Sequence, residues 1–401
     1  MPGISRKSLA GPETLQGTVM TGYQGWFAAE GDGTGMGWHH YGFGKEGVCQ
    51  IDLWPDLRGF GPEERFPTPL RMPDGSAAHV FSSAHPATVQ RHFEWMREHE
   101  IDGVFLQRFG VSLRGGRHRD FVNKVMENVR RSAAATGRTW SVMYDLSGMN
   151  GGTVLRTIRE DWTKLREDLK VTADTGYQHH FGKPVVAVWG IGFNDNRSYD
   201  LAECAGVLRF LREEAGGACV MAGVPFGWRT LTRDAVADPL LLEVLEKHAD
   251  IISPWSVGRY GRLEDARRQI AEVQKADAKW CQDRGKSCLP VIFPGFSWHN
   301  LMKSRGQSAP VNMIPRLKGQ FYWEQAMARI REGAGMLYVA MFDEMDEATA
   351  IFKIAATVPE GEHLFVTPDN APADHYLWLT SQIRKVLRGE LAISESPPAR
   401  D

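Results

Sequence analysis

Apolar and polar positions alternate along this chain in two different rhythms. Eight short runs are almost continuously apolar and rich in β-branched residues: residues 18–27, 102–109, 140–147, 184–190, 218–225, 250–256, 289–296 and 335–344. Between them lie amphipathic stretches with apolar residues three or four apart, including residues 87–100, 119–137, 200–217, 261–285 and 316–335, most of which end in glycine, a common helix stop. Buried strands alternating with helices are the pattern of βα units on a parallel sheet. Eight such units predict an α/β chain folded as a single (β/α)8 TIM barrel, in which active sites gather where the carboxyl ends of the strands meet the loops.

The first βα connection, residues 28–86, is long and rich in glycine and proline, and reads as an excursion over the barrel mouth rather than a second domain. A last helix is predicted over residues 374–389. The barrel is thus assigned to residues 1–390, and residues 391–401, with "SESPPARD", to a disordered tail.

Composition narrows the function classes. With 42% hydrophobic and 24% charged residues and a formal net charge of −2, the chain is ordinary globular protein, and nothing recommends nucleic acid or an anionic membrane as partner. Thirteen tryptophans suit a site that stacks flat ligands such as sugar rings, although any one Trp can equally fill the core. Cys49, Cys204, Cys219, Cys281 and Cys288 are odd in number and lack a C-x-x-C pair, so they read as buried thiols. No apolar run reaches the roughly 18 residues of a membrane span, and the amino terminus lacks a signal-peptide core. The chain as given reads as cytoplasmic, or as secreted or periplasmic with a leader removed; its oligomeric state is left open.

Each run delivers chemistry at its carboxyl end. The first brings Tyr23 and Trp26, the second Gln107 and Arg108, the third Tyr144 and Asp145, the fourth Trp189, the sixth Trp255, the seventh Trp298 and His299. Aromatic rings and polar forks converging on one rim suit a saccharide. Structural roles compete: Arg108 could neutralise a nearby acid, and Asp145 could cap the next segment. The eighth run delivers Asp343, Glu344, Asp346 and Glu347 within five residues. A helix amino terminus accounts for one or two acids, but four after a buried strand point to carboxylate chemistry at two of them. Trp38 and His39, in "WHHYG" of the first connection, join the binding rim, while adjacent histidines are poorly spaced for chelation. No metal motif, Gly-x-Ser-x-Gly elbow or full dinucleotide fingerprint is present, so neither metal nor organic cofactor is expected.

Read as a set, "GYQGWF", "GWHHYG", "WGIGFND", "GVPFGWRTL", "ISPWSVGRY", "FPGFSWHNL" and "MFDEMDEATAIF" make the chain resemble the glycoside hydrolase family 99 and family 71-like group, along most of the barrel. Against the family 99 element Phe-Asn-Glu-Trp-His-Glu-Gly-Thr, residues Phe342, Glu344, Glu347 and Thr349 match; Asp343, Met345, Asp346 and Ala348 depart from it. The resemblance implies a glycoside hydrolase acting on an α-linked oligo- or polysaccharide. Glu344 would act as base toward the substrate's own 2-hydroxyl, giving a 1,2-anhydro sugar, and Glu347 as acid and then base. That route retains configuration and needs a 1,2-trans sugar such as an α-mannoside. The alternatives are an inverting α-glucanase or pentosidase, with carboxyls roughly 6.5–9.5 Å apart, and a non-catalytic carbohydrate-binding barrel. Asp343 is assigned to the rim beside the pair.

Overall fold

The computed structural model describes residues 12–44, 48–214 and 216–400. The amino-terminal segment read for an address falls largely on residues 1–11, and residues 45–47 of the first connection and residue 215 of the stretch 200–217 are likewise outside the described residues. Every predicted run contributes a strand: β1 Val19–Tyr23, β2 Gly103–Phe109, β3 Thr139–Asp145, β4 Lys183–Trp189, β5 Cys219–Val224, β6 Ile251–Pro254, β7 in two pieces, Ser287–Cys288 and Val291–Ile292, and β8 Leu337–Val339. All pair in parallel in chain order, and β8 returns to β1 with Val19 opposite Leu337. β7 closes the ring. Its first piece pairs with β6 (Ser287 opposite Ile251) and its second with β8 (Val291 opposite Tyr338). Pro290 between the pieces has no N–H to donate, but its carbonyl accepts from Tyr338 N.

Helices α1 Pro86–Glu98, α2 Gly116–Thr136, α3 Val154–Thr163, α4 Leu201–Arg209, α5 Leu240–His248, α6 Leu263–Asp283, α7 His299–Ser304, α8 Gln320–Arg331 and α9 His375–Leu387 surround the strands. Local chemistry sets several ends: Pro86 opens α1, the Asp200 carboxylate caps α4 by accepting from Glu203 N, and Gly137 stops α2 at φ 65°. The crossovers α3 and α5, of 10 and 9 residues, are not among the amphipathic stretches named from the sequence, although α4, also of 9 residues, is.

Because strand side chains alternate between faces, the core divides in two. Met20, Phe105, Met143, Ala187, Met221 and Tyr338 fill the barrel's interior, whereas Val19, Leu106, Val142, Val188, Ala222 and Val339 pack outward against the helices. Gly22 sits where the interior is tightest: a Cβ there would lie 2.1 Å from Met341 Cε and 2.5 Å from Tyr338 Oη.

The first connection is tied down. It contains a hairpin, Phe66–Arg71 against Ala77–Val80, and residues 52–56 bond to the segment after β8 through Asp52 N to Met345 O, Asp56 N to Lys353 O and Ala355 N to Trp54 O. The carboxyl-terminal residues, for which composition suggests disorder, touch α8: Trp323 Nε1 donates to Ser394 O and Gln320 Nε2 to Glu395 O. Among the described residues all five cysteines are free, and no helix is long and apolar enough to cross a membrane.

Candidate active site

After β8 the chain folds back on itself. Phe342 N donates to Gly22 O, Thr349 N and Ala350 N donate to Glu344 O, and Arg316 Nη2 donates to the carbonyls of Ala348 and Ala350. This compact turn holds the four acids at the carboxyl end of the barrel, and each has a different fate. Asp343 is fully buried and accepts from the backbone N–H groups of Gln24 (2.7 Å) and Gly25 (2.8 Å), clamping the turn that follows β1. It is therefore a structural clamp and not a rim residue. Glu344 accepts from Gln24 Nε2 at 2.6 Å and from Thr349 Oγ1 at 2.5 Å. Asp346 meets His40 Nδ1 at 2.9 Å through one oxygen, and its other oxygen is buried without a partner. Glu347 is partly exposed and its carboxyl has no hydrogen-bond partner among the described residues.

Burial dominates the electrostatics. It pushes Glu344 well above the carboxylate range, with the charges of Glu347 and Asp346 adding to it and the donors Thr349 and Gln24 opposing. Glu347 is raised to about 7 by burial and by Asp346, against the Arg305 guanidinium. Asp343 and Asp346 are also raised to about 7, chiefly by burial. Four such neighbours cannot all ionise near neutrality, so the cluster holds at least one proton that belongs to the group and not to one residue. Burial lowers His40 to about 3, so the imidazole facing Asp346 is neutral.

A cavity of about 340 Å3 opens beside this turn, between the ends of β1 and β2. Gln24, Trp26, His39, His40, Gln107 and Phe109 line it. Trp26 is sandwiched between the His40 ring (centroids 3.8 Å, 7° between planes) and Phe109 (5.2 Å). Three polar atoms of the lining are buried without partners: Gln24 Oε1, Trp26 Nε1 and Gln107 Oε1. Buried polar groups left unpaired are costly, and here they present one donor and two acceptors beside a stacked aromatic wall. Glu344 and Asp346 are each one hydrogen bond from this lining, through Gln24 and His40 respectively. Among the described residues, no group of three or more His, Cys, Asp or Glu is arranged to hold a metal ion.

Strand parity sorts the nominated rim. Gln107, Trp189 and Trp255 lie on the inward-facing side, with Trp189 edge-on to Trp255 at 5.4 Å. Asp145 shares their parity and accepts from Ser147 N, in line with the capping alternative. Tyr23, Arg108 and Tyr144 point the other way, which corrects their assignment: Tyr23 Oη meets His92 Nδ1 on α1, while Arg108 and Tyr144 both bond Asp161 on α3. Trp38 donates to Glu30 within the first connection and does not line the cavity that His39 lines. Trp298 packs against the inner core with its Nε1 unpartnered. His299 is turned to the loop beyond α7, its Nδ1 2.6 Å from Ala309 O, and its backbone N–H is anchored on Asp52.

Sequence reasoning passed over Gln24, His40 and Asp52. Gln24 stands between two nominated aromatics and shares the inward parity of Gly22, a signal that was readable. Asp52 was not readable as a partner: it accepts from Ser297 Oγ, His299 N and Asn300 N, about 250 residues away in sequence.

No protein-family model matches the chain, and no curated protein matches it in sequence. Solved structures do match in fold. Two structures of the GH99 endo-alpha-mannosidase from Bacteroides thetaiotaomicron, one of them in complex with BIS-TRIS-propane, align over 94% of this chain and 99% of theirs, with TM-scores of 0.67 and 0.66 and 14% sequence identity. A structure described as a glycoside hydrolase-like protein aligns over 94% of each chain, with a TM-score of 0.55 and 12% identity. At these identities the likeness is one of fold: the chain has the TIM-barrel architecture of these proteins.

Proposed function

We propose that this protein is a glycoside hydrolase that cleaves α-linked sugars with Glu344 and Glu347. One observation carries the reading: a pair of carboxyls at the barrel mouth shares a raised affinity for protons, one oriented by two donors and the other partnerless and partly open. Acid and base catalysis needs one carboxyl of a pair protonated and one ionised near neutral pH. The aromatic wall of His40, Trp26 and Phe109, in which the Trp26 faces are taken by its two neighbours, and the unpaired atoms of Gln24 and Gln107 suit the C–H groups and hydroxyls of a sugar ring.

Burial alone would leave the shared proton on Glu344, but its two donors, Gln24 and Thr349, favour its ionised form; in the reactive state the proton sits on Glu347, and Glu344 is the acceptor. It takes the proton of the substrate's 2-hydroxyl as O2 bonds to the anomeric carbon and the glycosidic bond breaks, while Glu347 gives its proton to the departing oxygen. Glu347 then takes a proton from water, whose oxygen attacks the anomeric carbon; the strained C1–O2 bond opens and O2 recovers its proton from Glu344. Two inversions leave the configuration retained. Because O2 must approach from the face opposite the leaving group, a 1,2-trans sugar such as an α-mannoside is the substrate class. The fold shared with an endo-alpha-mannosidase supports this choice over an α-glucan.

The test is hydrolysis of a panel of α-linked manno- and gluco-oligosaccharides, with the product anomer followed by NMR. Release of the retained anomer from an α-mannoside is expected. First formation of the inverted anomer, or turnover of an α-glucan alone, would replace this mechanism with direct attack by water. Binding without turnover of any glycan would make the barrel a carbohydrate-binding protein.

A further inference from the structure

We infer that a second, basic cleft beside the proposed catalytic cavity binds an anionic group carried by the saccharide, a carboxylate or a sulfate. The inference rests on the hydrolase reading for its choice of ligand, but its charge pattern stands independently. The cleft, about 480 Å3, lies between α2 and α3 on the outer side of β2. Residues 111–123 form a wall common to both spaces: Val111, Ser112, Phe121 and Val122 face the first cavity, while Leu113, Arg114, Arg119 and Asn123 face the second.

At the floor, Arg108 is neutralised by Asp161 and braced by Asn123. Around it stand Arg114, Arg119, Arg156 and Lys164, all exposed and none with an ion pair among the described residues, against the single further carboxylate of Glu160. The contrast within the same helices is what gives this weight. On α2, Arg130 pairs with Asp174 and Arg131 with Glu127; on α3, Arg159 pairs with Glu214. Of the arginines facing elsewhere these three have acids opposite them and Arg117 donates instead to Gly35 O, whereas at the cleft only the floor residue Arg108 is paired and Arg114, Arg119 and Arg156 have no acid partner among the described residues. The chain is slightly acidic overall, so an excess of cation does not explain it. Like charges gathered in a concave space repel one another and focus a positive potential, and guanidinium forks match carboxylate and sulfate oxygens in bidentate fashion. A cleft one wall away from the sugar site places that potential within reach of a charged substituent on a glycan that extends over the shared rim.

The experiment uses the full chain carrying Glu344→Gln, so that ligands are not consumed, and titrates it calorimetrically with tetragalacturonate, a chondroitin sulfate tetrasaccharide, a neutral mannotetraose and inorganic sulfate. At least one acidic tetrasaccharide is expected to bind about tenfold or more tighter than the neutral one, to weaken with added salt, and to lose about tenfold in Arg114→Ser/Arg156→Ser. The same double substitution in the otherwise native chain is expected to leave turnover of neutral substrate unchanged. Equal binding of acidic and neutral sugars, indifference to the double substitution, or binding of inorganic sulfate with no preference for an acidic sugar would overturn the inference. Charge-dependent binding in a chain that hydrolyses no glycan would instead overturn the hydrolase reading and support the anion site.

Discussion

Two clusters of buried charge sit at the carboxyl rim of the barrel, and they are built in opposite ways. On the outer side of β2 and β3, Arg108 donates to both oxygens of Asp161 at 2.6–2.7 Å, Asn123 accepts from the same guanidinium, and Tyr144 Oη donates to Asp161 at 2.8 Å. At the end of β8, four carboxyls crowd one turn, and of these Glu347 has no partner and Asp346 only half its complement. Both clusters arise at strand ends, and both drew attention in the sequence. Pairing separates them. A buried ion pair with its bonds satisfied is held in one charge state and locks α3 to the barrel, whereas a buried set of like charges keeps protons that it can exchange.

The sharpest way to break this comparison is to neutralise one member of each cluster. Glu347→Gln is expected to cost about 10²- to 10⁴-fold in kcat on an α-mannoside with little change in Tm, because it removes the transferable proton and no bond. A variant that retains its rate would unseat Glu347 as the acid. Arg108→Met should do the reverse: a loss of about 3–5 kcal/mol in urea unfolding, from leaving Asp161 buried and unpaired, with kcat of the folded fraction preserved. Equal loss of rate in the folded fraction would return Arg108 to the site.

Asp343 tests the border between the clusters, since it belongs to the acidic turn by sequence and to the paired class by its bonds. Asp343→Ala is expected to destabilise by about 1–3 kcal/mol, from orphaning the N–H groups of Gln24 and Gly25. The smallest effect is on pH. The protonated form of Glu347 is lost as pH rises through about 7, which sets the alkaline limb of kcat/KM. Removing the neighbouring negative charge in Asp346→Asn lowers the affinity of Glu347 for its proton, so that limb should move to lower pH, by less than about one unit. A limb that moves upward or stays fixed would remove Asp346 from the cause of the shift.

Much of this was legible before folding. The eight apolar runs are the eight strands, because a strand buried on both faces must be apolar along its whole length, and the acidic turn lies at the end of β8 as a barrel requires. Parity was legible as well: Gln107 and Arg108 are neighbours, so they face opposite sides of the strand, and listing both as rim residues ignored that. In the sequence His40 reads as half of a poor chelating pair, although adjacency to His39 leaves it free to stack on Trp26 and meet Asp346.

What the chain determined by itself was periodic and local: strands, most helices, the order of the barrel, and the delivery of four carboxyls to one end. Tertiary structure alone decided which of those carboxyls would be clamped, paired or left open, because Gln24, His40 and Asp52 reach the turn from some 300 residues away. Proton affinity depends on burial and on charges within a few ångströms, and neither is a property of neighbours in sequence.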